Sequence, residues 1–239
     1  MFRPLVLSFL VGALPASAQL VTDRPDFTES AVAVPTARVQ VEAGASFEVV
    51  DTGAGGGAFG VSGPEALVRL GLADGFEARL GLPGYRIADV TRPDDRGFTD
   101  LALGAKAGLA RFAEWDVAAI VEVSIPVDSD ASVSPLAILI VGRDLGAVSL
   151  GAQAEVVWDR TTDRTEVGGT AVLGVPLAEH VGGFAEVAAG TTPDGAAVLA
   201  HTGATLLLSP DLQLDAHGGL GLTAAAPDAF GGLGLSVRF

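Results

Sequence analysis

The feature that most limits what this chain can fold into is a period of two that recurs in stretches of about ten residues, the length a tilted strand needs to cross a bilayer. Val39, Val41, Ala43, Ala45, Phe47 and Val49 share one parity, and Arg38, Gln40, Glu42, Gly44, Ser46 and Glu48 the other. Successive side chains of a strand point to opposite faces, so each stretch has one apolar and one polar or small face. The last stretch, Ala229 to Phe239, repeats the pattern with Leu233, Leu235, Val237 and Phe239 against Gly232, Gly234, Ser236 and Arg238.

Twelve such strands are expected: Arg38 to Val49, Glu65 to Leu72, Phe76 to Leu82, Asp100 to Leu109, Trp115 to Ile125, Pro135 to Arg143, Ala147 to Trp158, Glu166 to Val175, Val181 to Gly190, Ala196 to Leu208, Leu212 to Leu222 and Ala229 to Phe239. Asp74-Gly75 is a strong hairpin signal between the second and third. The glycine-rich stretch 51–63 reads as a long loop, and 84–97 as another. Leu136 to Val141 is apolar on both faces, which makes it the weakest of the strand assignments, since a short apolar run also suits a buried helix. The joins at 73–75, 110–114, 144–146, 176–180 and 209–211 are all short, whereas those at the other end mix short with long. Short periplasmic turns against longer external loops, with an even strand number, is the pattern of an outer-membrane barrel.

Composition narrows the setting. The mean hydropathy is +0.46, yet beyond the amino terminus no apolar run approaches the ~18–20 residues of a spanning helix. A formal charge of −15 argues against nucleic acid as a partner. With no cysteine there is no disulfide, thiolate metal site or cysteine nucleophile. Arg3, the apolar Leu5 to Leu14 and Ala16-Ser17-Ala18 read as a cleaved signal peptide, 1–18. The organisation expected is a signal peptide, a polar lead-in at 19–36 and an all-β antiparallel barrel at 37–239, in the outer membrane of a Gram-negative bacterium. Its expected partners are outer-membrane lipid, the barrel-assembly machinery and a small solute. No cofactor is expected.

A soluble sandwich or lipocalin-like barrel would also alternate. Its inward face would be apolar, whereas here the face opposite the apolar one carries Glu42, Arg69, Arg79, Lys106, Glu122, Glu155 and Glu186. A dry core of those groups would be very costly, so the expectation is a wet lumen inside a lipid-facing wall. Twelve strands leave a narrow passage, between self-filled eight-stranded barrels and wide porins.

The lead-in Thr22-Asp23-Arg24-Pro25-Asp26-Phe27-Thr28-Glu29-Ser30, with Val34-Pro35 and Val39 to Gly44, resembles the start of the outer-membrane family associated with the meta-cleavage pathway of phenol degradation. Gly71 to Gly81, Gly97 to Lys106 and the closing Arg238-Phe239 extend the resemblance across the mature chain, with more alanine and fewer aromatics and lysines here. The family is described as one of transporters. The resemblance implies a barrel passing small, hydrophobic or aromatic molecules.

The candidate functional residues follow from parity and charge. Asp23, Arg24, Asp26 and Glu29 are too charged for lipid, so the lead-in either tucks into the lumen as a plug, with Arg24 paired to Glu42, Glu77 or Glu122, or caps the periplasmic end. The inward carboxylates Glu42, Glu77, Asp100, Glu122, Glu155 and Glu186, among others, outnumber the inward cations, including Arg69, Arg79 and Lys106. This suits either a pore that disfavours anions or a structural ion-pair network. A turn at Pro210 sets His201 opposite Gly219 and His217 opposite Gly203, making the histidines diagonal neighbours near Glu186. That trio suits a metal or a titrating gate, and is also a common chance arrangement. Leu235, Val237 and Phe239 are expected to form the assembly signal. No nucleophile elbow, phosphate cradle or metalloprotease motif occurs, so a channel is expected first, a structural or surface-interaction barrel second and an enzyme third.

Overall fold

The computed structural model describes residues 20–51, 56–92, 94–127, 130–146 and 148–239; the expected signal peptide lies outside them. The strands are β1 (Val39–Asp51), β2 (Gly57–Ala73), β3 (Phe76–Leu82), β4 (Tyr85–Ile87), β5 (Arg96–Phe98), β6 (Leu101–Phe112) and β7 (Trp115–Ile125). They continue as β8 (Ser134–Asp144), β9 (Ser149–Asp159), β10 (Arg164–Ala178), β11 (Val181–Thr192), β12 (Gly195–Ser209), β13 (Leu212–Gly221) and β14 (Ala229–Arg238). All neighbours pair antiparallel, and β1 pairs with both β2 and β14, so the sheet closes on itself and keeps no open edge along the bilayer.

The barrel has twelve staves. β4 continues β3 along β2 in unbroken register, from Ala66↔Leu82 to Val61↔Ile87. β5 and β6 likewise form one stave, running from Tyr85↔Phe98 to Gly81↔Ala102. Pro83 interrupts the first of these because it has no N–H to give the ladder. Across the gap Gly84 and Thr99 stay joined, through Thr99 N–H to the Gly84 carbonyl at 2.8 Å and Gly84 N–H to Thr99 Oγ1 at 2.7 Å.

Two expected loops therefore contain strand. Residues 57–63 belong to β2 and hide from a period-two reading because the register against β1 shifts between Gly44 and Ser46. A bulge adds one residue to one strand and reverses which parity faces out. Below it Val68 and Leu70 face lipid; above it Phe59 and Val61 do, and Phe59 stacks on Phe47 with centroids 5.8 Å apart. Residues 84–97 contain β4 and β5, where Tyr85 meets Phe98 edge-on at 5.3 Å. These rings join Trp158 as an aromatic girdle at the loop end.

β8 is a strand, paired to β7 and β9 along its length. It is apolar on both faces because its inner face is packed as well: Ile138 and Ile140 bury against Ala118 and Ile120 of β7, with Ala31 of the lead-in on top. The outward face of the barrel is a band of exposed aliphatics, such as Leu72, Leu103, Val121, Leu139, Val187 and Leu233. In water such a surface would drive aggregation; against hydrocarbon it is what a membrane-spanning barrel requires. At one end the joins are short, at 74–75, 113–114, 145–148, 179–180 and 210–211; at the other they reach eight residues, at 88–95 and 126–133.

Candidate functional site

The lumen is packed rather than wet at its middle, and this overturns the expectation of a solvated interior. Gln40, Glu42, Arg69, Glu77, Lys106 and Ser236 are almost wholly buried. The cause is the lead-in, which enters at the short-turn end, crosses the barrel and returns to β1. It has no sheet partner, yet its backbone N–H groups cannot be left bare in a buried setting. Wall side chains accept them. Glu42 takes the N–H groups of Asp23 and Arg24 at 3.0 Å, and Glu186 those of Phe27 and Thr28 at 2.9 and 2.8 Å. Gln153 takes that of Glu29 at 2.7 Å, and Glu77 that of Val34 at 2.6 Å. Inward carboxylates that looked like pore-lining charge thus hold a main chain.

The wall cations are used on the lead-in's carboxylates. Asp23 meets Arg69 at 3.1 Å, Arg79 at 2.5 Å and Lys106 at 2.8 Å. Glu29 receives two bonds of 3.0 Å from Arg79 and lies 3.6 Å from Lys106. Arg69 also binds Glu42 and Glu77, each at 2.8 Å, and donates to the carbonyl of Val32 at 3.1 Å. Three cations and the four carboxylates Asp23, Glu29, Glu42 and Glu77 form one connected cluster, which satisfies the condition under which buried charge is tolerated.

Arg24 departs from its expected pairing. Its side chain reaches Asp215 at 3.3 Å and Glu65 at 3.6 Å, and only its backbone N–H goes to Glu42. Neither Glu77 nor Glu122 receives it. The reason is space: Gly44 and Gly234 face each other across β1 and β14, and a Cβ on either would lie 2.4 Å from the guanidinium. Asp215 on β13 sits beside that seat. The seat is loose, since Arg24 Nε and Asp215 Oδ2 are both buried with no hydrogen-bond partner among the described residues. Gly71 makes room in the same way for the lead-in's exit, where a Cβ would fall 2.1 Å from the carbonyl oxygen of Pro35.

Of the remaining candidates, Glu122 approaches Arg79 only to 3.9 Å. Asp100 lies exposed towards the loop end, accepting a bond from Ser124. Glu155 lies across Gly168 on the far wall, where a Cβ would be 2.6 Å from its Oε1. Leu235 and Phe239 are on the lipid face, and the backbone of Phe239 pairs with Val39. The histidine register is as read: His201↔Gly219 and Gly203↔His217. His201 Nδ1 lies 2.7 Å from Glu186 Oε2, and its Nε2 lies 2.9 Å from His217 Nδ1. Those contacts occupy three of the four ring nitrogens, and no metal-holding cluster occurs among the described residues. Thr28, whose hydroxyl donates to Glu186 at 2.6 Å, and Gln153 escaped notice as site residues, because parity says which way a wall residue faces but not what chain comes to meet it.

Two cavities flank this packed layer. One of about 410 Å³ opens at the loop end and is lined by Phe27, Ser62, Glu65, Leu199, His217 and Phe230, among others. One of about 620 Å³ lies at the short-turn end, between Leu20, Ser149, Glu179, His180, Phe184 and Gln213. Arg24, Pro25 and Asp26 line both. These three residues are the partition between them.

A sequence profile described as "Putative MetA-pathway of phenol degradation" matches residues 22–239, essentially all of the described chain. The chain belongs to that family. The phenol-degradation family assignment agrees with the resemblance of the lead-in. Among solved structures, an outer membrane channel from Pseudomonas putida F1 is similar over 88% of this chain and 98% of its own, at 12% identity and TM-score 0.68. NanC porin is similar over 84% and 100%, at 9% identity and TM-score 0.59. KdgM porin, solved in complex with disordered oligogalacturonate, is similar over 84% and 99%, at 8% identity and TM-score 0.57. At these identities the likeness is one of fold. No curated protein matches the chain in sequence.

Proposed function

We propose that this protein is an outer-membrane channel for small solutes, shut in this conformation by its own lead-in, and that it carries out no chemical step. The observation that supports this best is the pair of cavities separated by Arg24-Pro25-Asp26, one opening towards each end of the barrel. A barrel built only to stand in the membrane could fill its interior throughout, as eight-stranded barrels do. Here the filling is concentrated in one layer, and that layer is a segment outside the β-ladder. The similar Pseudomonas putida protein is an outer membrane channel and two others are porins, and the family's description points to solutes from aromatic degradation. Insertion is assigned to the barrel-assembly machinery, which would read the lipid-facing Leu235, Val237 and Phe239 on the closing strand.

The density of ion pairs on Asp23 favours a second reading, a permanently closed structural barrel. Removing Val21 to Ser30 separates the two. On the channel reading, planar-bilayer conductance rises several-fold while the unboiled barrel keeps its fast gel mobility. Unchanged conductance would rule out the lead-in as the closure. Loss of solute uptake in a deletion strain, restored by the intact chain, tests transport itself.

A further inference from the structure

Resting on the channel reading, we propose that Asp26 sets the charge preference of the passage: when the partition opens, its carboxylate is the point at which a cation is held between the two cavities, so the channel admits cations and neutral solutes over anions. Asp26 belongs to the three-residue partition and lines both cavities. Every other charged group of the lead-in has an opposite charge to meet. Asp23 and Glu29 face Arg79 and Lys106, and Arg24 faces Asp215 and Glu65. The half-buried Asp26 carboxylate takes a hydrogen bond only from its own backbone and forms no ion pair among the described residues. The side-chain charges that bear on it most are themselves negative, those of Glu186, Asp23 and Glu42. A carboxylate in such surroundings is short of a counter-ion.

The other charged groups along the cavities do not supply one. At the loop end, Arg86 is held by Glu48 at 2.7 Å and Arg24 lies 3.6 Å from Glu65; both pairs line that cavity. At the short-turn end the further charged residues are the carboxylates Asp144 and Glu179. His217 lines the first cavity and His180 the second, and neither bonds Asp26. Moving Arg24 does not reverse the balance, because its seat holds Asp215 and Glu65, and one departing cation uncovers two carboxylates. Position decides which of these charges matters. Asp144 and Glu179 are exposed at the mouth, where salt screens a charge beyond about 8–10 Å. Asp26 stands where the cavities meet, and the protein around it concentrates the field of a single charge. The inward carboxylates Glu42, Glu77 and Glu186 cannot take this role, since the N–H groups of the lead-in already occupy them.

The test is the reversal potential of the full chain in planar bilayers under a potassium chloride gradient. The pH is set to about 9, because burial and the negative charge of Glu186 push the Asp26 carboxyl up to about 8 while the partition is closed. The wild type should pass potassium over chloride by about five-fold or more, the factor that one unit charge about 4 Å from a hydrated ion supplies in water. Asp26→Asn should bring the two permeabilities close to equal, and Asp26→Glu should keep the preference. Glu179→Gln, at the mouth, should leave it within about two-fold of wild type. Equal or chloride-favouring permeability in the wild type, a preference that survives Asp26→Asn, or an equally large loss in Glu179→Gln would each overturn the proposal. The wild-type reading needs no variant to fold, and a permeability ratio does not depend on how many barrels are open. Current only after removal of Val21 to Ser30 would also overturn it, since the partition then never opens as a passage. Current that ignores Asp26 leaves the channel reading standing; silence of the intact and the shortened chain refutes the channel and the proposal with it.

Discussion

Neutralising Asp23 is the sharpest test of what holds the lead-in. Asp23→Asn keeps the side chain's size and its bond from Ser30 N–H, 3.0 Å long, removes the charge that Arg69, Arg79 and Lys106 share, and sets an amide NH2 in place of the oxygen that accepts from Arg69 and Arg79. All four side chains are at most 3% exposed, so solvent does little to screen the loss. Lys106 keeps a neutral acceptor in place of its 2.8 Å ion pair, and its remaining carboxylates are Glu29 at 3.6 Å and Glu77 at 3.9 Å. Breaking one partner out of a buried ion pair costs about 3–5 kcal/mol. The barrel ladder does not depend on Asp23, so the cost falls on the seated lead-in and moves its equilibrium with a released one by a factor of roughly 10² to 10³ or more. The chain has no cysteine, so Ala31→Cys gives a reporter free of background on the segment that packs against Ile120 and Ile140. Its modification by a charged thiol reagent should accelerate at least a hundred-fold in the Asp23→Asn background, and single-channel conductance should rise with it. If the labelling rate and conductance both stay at the wild-type level, the charge cluster is not what seats the lead-in.

Three further outcomes follow from the same geometry. Gly234→Leu should push Arg24 from its seat, because a Cβ there lies 2.4 Å from Arg24 Nε and 2.5 Å from Asp215 Oδ2; planar-bilayer current should increase, with strand content by circular dichroism unchanged. Ile120→Ala empties the apolar inner wall between β7 and β8, and the cost of about 2–4 kcal/mol should lower the temperature at which the unboiled gel band converts to the unfolded one. Leu139→Arg, on the lipid face midway along β8, should cost about 2–4 kcal/mol in urea titrations in lipid vesicles, whereas Leu199→Arg on the lumen side should cost much less.

What could be read from the sequence is what a single strand states about itself. The inward and outward sets of β1, β6, β9, β11 and β14 follow from parity, and so does the meeting of His201 with His217, because a short turn at Pro210 fixes register across two strands. What was hidden depends on one residue changing the count or on a partner far away in sequence. The bulge at Gly63-Pro64 reverses the parity of Phe59 and Val61, so a true strand looks like a glycine-rich loop. β8 looks ambiguous alone because its inner face meets Ile120 and Ala31, which no local pattern reveals. The wet lumen was a misreading of charge: Arg69, Arg79 and Lys106 do face inward, but the carboxylate on which all three converge belongs to a segment before the first strand. Wall composition alone could not show that Asp23 supplies it.

The partition is also unevenly held, and this bears on how it would open. On one side stands Asp23, with three cations on its carboxylate and Glu42 on its N–H; on the other stands Thr28, with its N–H and hydroxyl on Glu186. Between these anchors lies the stretch 24–27, tied at its ends by Arg24 N–H to Glu42 and Phe27 N–H to Glu186; the Arg24 side chain makes only long contacts, to Asp215 at 3.3 Å, the Leu233 carbonyl at 3.4 Å and Glu65 at 3.6 Å, and a nitrogen of its own and an oxygen of Asp215 have no hydrogen-bond partner among the described residues. The residues that line both cavities are those of this loosely held stretch. A passage could therefore form by moving Arg24 to Asp26 while both anchors stay, which costs far less than dissolving the charge cluster. The two variants discriminate between these routes: Gly234→Leu should raise current without faster labelling at Ala31→Cys, whereas Asp23→Asn should raise both. If Gly234→Leu accelerates labelling as strongly as Asp23→Asn does, the lead-in moves as one body and the anchors are not independent.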